Sequence, residues 1–123
     1  MKTTWFYNER TYPFDISEVT CMERVTRALE ALRTVTAGQP GKEAPPYVAL
    51  AEHCESIMAF FTTVFGKDAA AEICGGLKSG EKYTAAFFSF IFFVREQAAE
   101  IQHMMDAAEE KYRVTAQAMG VVV

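Results

Sequence analysis

Apolar residues fall along the chain in two textures, an aromatic opening and then a long region of three- and four-residue spacing. Thr3-Thr-Trp-Phe-Tyr-Asn-Glu-Arg-Thr-Tyr-Pro-Phe14 is rich in aromatic residues and threonine, which favour strands. Asn8-Glu9 in its middle predicts a turn, so residues 1–15 are expected to form a short hairpin arm. Pro13 donates no hydrogen bond to a ladder and belongs at an edge or a strand end. A lone hairpin is marginal in water, so this one must lean on the helices that follow.

From residue 16 the pattern turns helical. Asp15 or Ser17 is the expected cap of a helix over 16–37, with Val19, Met22, Val25, Leu29, Leu32 and Val35/Thr36 on one face. Glu23, Arg24, Arg27, Glu30 and Arg33 occupy the other side, and Gly38-Gln-Pro-Gly41 ends the run. Pro45-Pro46 opens a second helix over 46–65, striped by Val48, Leu50, Ala51, Cys54, Ile57, Met58, Phe61, Val64 and Phe65 and closed by Gly66. A short helix over 68–74, capped by Asp68, stops at Gly75-Gly76. Ser79 or Gly80 then starts the longest, 81–118, which contains neither proline nor glycine. The last residues, Gly120-Val-Val-Val123, are left as a tail or an added strand. The expected fold is therefore mainly α: one domain over 1–123, with a short N-terminal hairpin and three to four helices, the last one long.

That last helix would run about 55 Å at 1.5 Å per residue, against about 30–35 Å for a compact domain of this size. It must kink or project. Its segment Phe87-Phe-Ser-Phe-Ile-Phe-Phe-Val94 is apolar around the whole helix, more than one buried face accounts for. The segment is therefore expected to be part core and part interface. Phe87, Phe88, Ile91, Phe92, Ile101, Met104, Met105 and Tyr112 are the expected contacts for a partner or a second copy.

Composition narrows the function classes. The net charge is -4 and no basic cluster is present, which disfavours nucleic acid as a partner. The longest apolar run, Ala85 to Val94, is about half the ~20 residues a membrane span needs, and Thr3 to Thr11 is polar and aromatic where a signal peptide would be apolar. A cytoplasmic protein is expected. Cys21, Cys54 and Cys74 are odd in number and unpaired in spacing, and read as small apolar core residues.

The chemical constellations are weak. Glu100-x-x-His103 has the spacing of helical di-iron ligands, but Leu50 stands where His53 would need its own glutamate. His53 and Cys54 are adjacent and on a helix point about 100° apart, so they form no nucleophile–base pair. Gly75-Gly76-Leu-Lys-Ser-Gly80 lacks the order of a phosphate loop and no strand precedes it. No catalytic, cofactor-binding or metal-ligating residue is assigned.

Two blocks carry a resemblance. One is Phe14-Asp15 followed by Met22-Glu-Arg-Val-Thr-Arg-Ala-Leu-Glu30; the other is Phe60-Phe-Thr-Thr-Val-Phe-Gly66 continued by Ala70, Ile73 and Gly75-Gly76. Over roughly Thr11 to Glu110 the chain resembles a family of small phage and prophage proteins of Gram-positive bacteria, similar to tail assembly chaperones. In that family the chain usually ends in a basic tail, whereas this one ends Ala116-Gln-Ala-Met-Gly-Val-Val-Val123. The resemblance implies a non-enzymatic assembly protein in the bacterial host cytoplasm that oligomerises and holds a helical partner such as the tape-measure protein. The alternatives are a structural tail-completion or connector subunit, or a small regulatory binding protein.

Overall fold

A computed structural model describes residues 2–37 and 45–120, residues 35–37 by their backbone alone. The turn of the expected loop at 38–44 and the tail at 121–123 lie outside the described residues. The chain forms β1 (Thr4–Tyr7), β2 (Arg10–Pro13), α1 (Val19–Ala37), α2 (Pro46–Phe65), α3 (Lys67–Cys74) and α4 (Gly80–Ala118). The fold is mainly helical, with a short N-terminal antiparallel hairpin and a long last helix.

The hairpin pairs Thr4 with Pro13, Trp5 with Tyr12, Phe6 with Thr11 and Tyr7 with Arg10. Asn8 (φ 52°) and Glu9 (φ 65°) both hold left-handed backbone, the geometry a two-residue turn needs to match strand twist. Pro13 sits at the strand end, where no ladder donor is missed. The inner face of the hairpin, Trp5 and Tyr12 with Phe14 and Ile16 just beyond, is fully buried. Trp5 stacks on Phe61 and Phe65 at 5.9 and 6.0 Å and meets the edge of Phe90 at 5.1 Å. Its indole N–H donates to Ser89 Oγ at 3.2 Å. Ser89 thus interrupts the apolar run of α4 because the tryptophan needs an acceptor there. On β2, the Tyr12 hydroxyl donates to Glu72 of α3 at 2.8 Å, and Arg10 pairs with the same carboxylate at 3.0 Å.

Helix α2 is the hub, packed against α1, α3 and α4. Its contacts to α4 climb together: Leu50 beside Gly80, His53 Nε2 2.9 Å from Thr84 Oγ1, Phe60 on Phe87 at 5.0 Å, and Phe61 and Phe65 on Phe90 at 5.9 and 5.3 Å. The two helices therefore run in the same direction, with α3 as the crossover. Gly66 (φ 96°) and Gly75 (φ 80°) make the two breaks that bracket α3, at backbone angles other residues rarely take. Ser79 caps α4 by accepting from the Lys82 N–H at 3.3 Å.

Three expectations need correction. Asp15 does not cap α1 directly; its carboxylate accepts from the Ser17 N–H at 2.9 Å and its hydroxyl at 2.6 Å, a local turn that lowers its pKa, and the helix starts at Val19. Asp68 is not a cap either: α3 starts at Lys67, and Asp68 lies in its first turn, where a carboxylate suits the positive helix end. The buried face of α1 is rotated from the expected stripe. Val25 and Ala28 are buried and Cys21 and Leu32 half-buried, while Val19, Met22 and Leu29 face outward. The reason is what α1 meets: it lies mainly along α2, where Ser56, Ala59, Phe60 and Thr63 accept a narrow face centred on Ala28 and Leu32.

One polar side chain ties the arm to the helices. Gln97 of α4 is buried at 2% exposure. Its amide nitrogen donates to the Lys2 and Phe14 carbonyls, each at 2.6 Å, and its oxygen accepts from the Ile16 N–H at 3.3 Å. Replacing it by leucine, close in size, leaves two buried backbone groups, at Phe14 and Ile16, and the part-buried Lys2 carbonyl without this partner, a buried group left so costing about 1–3 kcal/mol. Gln97→Leu is expected to lower unfolding free energy by about 2–4 kcal/mol, whereas Phe88→Ala on the exposed face changes it by less than about 0.5 kcal/mol. Urea unfolding followed by fluorescence of Trp5, the sole tryptophan, checks both.

Candidate interaction surface

Helix α4 is about 58 Å long at 1.5 Å per residue. It stays helical from Gly80 to Ala118, so the choice between a kinked and a projecting helix resolves toward projection. Tyr83, Ala86, Phe90, Phe93 and Gln97 face the body and are buried. Ile101 is half-buried against the same core. The stripe then continues at the same spacing through Met104, Met105, Ala108, Tyr112 and Met119, and there the body has ended. Met104 and Met105 are 62% and 60% exposed and Tyr112 67%. Among the described residues beyond Ile101, Ala116 is buried and every other side chain is exposed.

The eight expected contact residues therefore fall into three sets. Phe87, Ile91 and Ile101 are half-buried and pack against the core. Phe88 and Phe92 stand roughly 160° around the helix from Phe90, and both are more than 60% exposed. Met104, Met105 and Tyr112 form the overhanging stripe on the core-facing side. The segment Phe87–Val94 is core through Phe90 and Phe93 and exposed through Phe88 and Phe92. The overhang's solvated side is held by local pairs, Gln102 to Asp106 at 2.9 Å and Arg113 to Glu110 at 3.0 Å.

Two features were not read from the sequence. Val19, Met22 and Leu29 give α1 an outward apolar face, hidden in the sequence because their spacing mimics a core stripe. A notch of about 310 Å³ lies at the root of the overhang, lined by Lys2, Phe93, Glu96, Gln97, Ala99 and Glu100. Gln97 could have been found: it stands four residues after Phe93 and four before Ile101, in register with the stripe.

A second hollow, about 540 Å³, runs along α2 between Met58, Ala59, Thr62 and Tyr83, with Cys54 at its floor and Glu55 and Lys78 paired across its rim at 3.6 Å. The Cys54 thiol is buried, and the neighbouring His53 ring is turned to Thr84. His103 is exposed on the overhang, and no group of three or more metal-ligating side chains comes together among the described residues. Helix Pro46–Phe65 is long and apolar enough to cross a membrane by length and composition, with mean hydropathy 1.2; its Cys54, Ile57, Phe60, Phe61 and Val64 form the centre of the core.

A family model described as a family of unknown function (DUF6673) matches residues 8–118, from the hairpin turn to the last residue of α4. No curated protein and no solved structure matches.

The buried thiols and phenols make stability fall in alkali. Burial, reinforced by the nearby Cys54, pushes the Cys74 thiol from 9.0 to about 11. Burial and the hydrogen bond to Glu72 push the Tyr12 hydroxyl from 10.0 to about 12. Both groups stay protonated in the fold where the unfolded chain would ionise. Their contribution is complete below pH 9, is lost for Cys74 as pH rises from 9.0 toward about 11, and for Tyr12 from 10.0 toward about 12. The urea midpoint should therefore hold level up to about pH 9 and fall steadily from there toward pH 12. In the native chain at pH 8, iodoacetamide should label half-buried Cys21 at least about a hundredfold faster than Cys54 and Cys74, as read by mass spectrometry.

Proposed function

We propose that this chain, which belongs to that family of unknown function, is a non-enzymatic assembly protein that works by packing apolar helices of other chains against α4. The observation that carries this reading is that α4 leaves two apolar faces open after the core is complete: Phe88 and Phe92 behind it, and Met104, Met105 and Tyr112 on the overhang. Burying one such phenylalanine is worth about 1.5–3 kcal/mol, so surface of this kind favours association. Methionines suit a surface that adapts to a helical ligand.

The resemblance to phage tail assembly chaperones makes the ligand concrete. A tape-measure protein is a long helical chain that needs its apolar side chains shielded until the tail tube forms around it, and helix-in-groove packing on α4 supplies that shield. Several copies acting together in the host cytoplasm would coat it along its length. The second of the two blocks that carry the resemblance lies largely in the core: Phe60, Phe61, Val64 and Ala70 are buried, and Gly66 and Gly75 hold the breaks around α3, while the first contributes Val25 and Ala28. They support a common scaffold, and the open faces of α4 support the task.

Titration of the chain with helical fragments of a phage tape-measure protein should show micromolar binding or tighter. The double substitution Phe88→Glu with Phe92→Glu should weaken that binding at least about tenfold while leaving Trp5 fluorescence and urea stability unchanged. Absence of binding at about 100 µM would remove the chaperone reading. Retention of the chain in purified virions would favour the structural-subunit alternative.

A further inference from the structure

We propose that the hollow along α2 is a binding site for a small neutral molecule, apolar over most of its surface, with one hydrogen-bond acceptor oxygen that the Tyr83 hydroxyl receives. The observation behind it is a polar group left over in an apolar wall. Tyr83 is 3% exposed and lines this hollow of about 540 Å³. Its hydroxyl has no hydrogen-bond partner among the described residues. No side-chain oxygen sealed from solvent goes unpaired among them, so this hydroxyl opens on the space that its residue lines. The other polar aromatics of the core differ: Tyr12 donates to Glu72 at 2.8 Å and Trp5 to Ser89 at 3.2 Å. Buried phenols and indoles ordinarily have such a partner. For Tyr83 a ligand oxygen in the hollow supplies it.

The rest of the lining sets the class of molecule. Thr62 and Thr63 turn their hydroxyls to their own helix, donating to the Met58 and Ala59 carbonyls at 2.8 and 3.1 Å. Their methyl groups are then the surface they offer, beside Met58, Ala59 and the buried Cys54, a small apolar group. At the rim Glu55 and Lys78 stand 3.6 Å apart and balance one another. A charged ligand of either sign would meet one attraction and one repulsion there, so the site favours a neutral one. Burial raises the Tyr83 pKa above 10.0, and the Cys74 and Cys54 thiols add to it. At neutral pH the phenol is therefore a donor.

Size agrees. Small-molecule sites run from about 300 to 1,000 Å³, and the α2 wall from Cys54 to Thr63 is about 14 Å long. That length takes two fused aromatic rings and a short arm. Tyr83 lies on the covered side of α4, away from exposed Phe88 and Phe92. Occupancy of the hollow is thus independent of a helix held on that back face.

The test uses 6-propionyl-2-dimethylaminonaphthalene, a neutral probe with one ketone oxygen, whose emission moves to the blue in apolar surroundings. Titration with the full chain should give saturable binding, one probe per chain, with a dissociation constant of about 10–200 µM. Tyr83→Phe keeps the ring and removes the hydroxyl, and should weaken the ketone probe at least about fivefold. It should leave unchanged the binding of 2-dimethylaminonaphthalene, which lacks the ketone, as read by fluorescence anisotropy. Thr62→Trp, at an exposed position on the wall, should fill the hollow and weaken both probes at least about tenfold. The pair Phe88→Glu with Phe92→Glu should change neither. Circular dichroism and the urea midpoint establish that each variant is folded. Absence of saturable binding at about 500 µM chain overturns the proposal, as does ketone binding that Tyr83→Phe leaves intact or that the Phe88 and Phe92 substitutions abolish. The assembly reading stands or falls separately, on helical fragments and not on this probe.

Discussion

The carboxamide of Gln97 is the clasp on which the arrangement depends. It is the one polar side chain fully inside the described core, and it reaches three backbone groups far away in sequence, at Lys2, Phe14 and Ile16. Those groups mark the entry to the hairpin, its exit and the approach to α1. A two-stranded hairpin of four-residue strands has little stability alone. Holding both of its ends to one point on α4 lets its aromatic face close over α2 and α4. An apolar residue at 97 could fill the space but would leave the backbone groups dehydrated and unpaired, a cost comparable to a sizeable fraction of a small domain's stability.

The clasp also fixes the boundary between core and surface. Below it, one side of α4 is covered: α2 and α3 pack on its early turns, and the hairpin and Phe14 cover Ser89 and Phe90. Above it, the same apolar spacing continues into solvent. A single helix thus serves two environments without a change of pattern. That pattern accounts for the surplus of apolar side chains better than a buried central helix would, because Phe88 and Phe92 face away from the body even in the covered half.

Much of the architecture could be read from the chain because its signals were local. Asn8-Glu9 made the turn, Ser79 made the cap, and Gly66 and Gly75 made the breaks at left-handed backbone angles. Reading failed where the answer depended on what a segment meets. In α1, Val19, Met22, Val25 and Leu29 share a helical spacing, yet the narrow face offered by α2 selects Val25 and Ala28 and leaves the rest outside. Ser89 and Gln97 look like interruptions of an apolar helix, and only the fold shows that each answers a distant hydrogen-bonding need, from Trp5 in one case and from the ends of the arm in the other. Of the open surface, the surplus on α4 was visible in the sequence. Its division into a back face and an overhanging front face was not, because that division is set by where the body stops.

The overhang is also a lever. A helix resists bending, so its free run of about 26 Å turns each ten degrees of tilt at the root into about 4–5 Å of travel at the tip. Shifts at Gln97 and Phe93 too small to disturb the core would therefore move Met119 by more than the width of a methyl group. The stiffness of the root, more than the chemistry of the tip, sets how accurately this rod can be aimed.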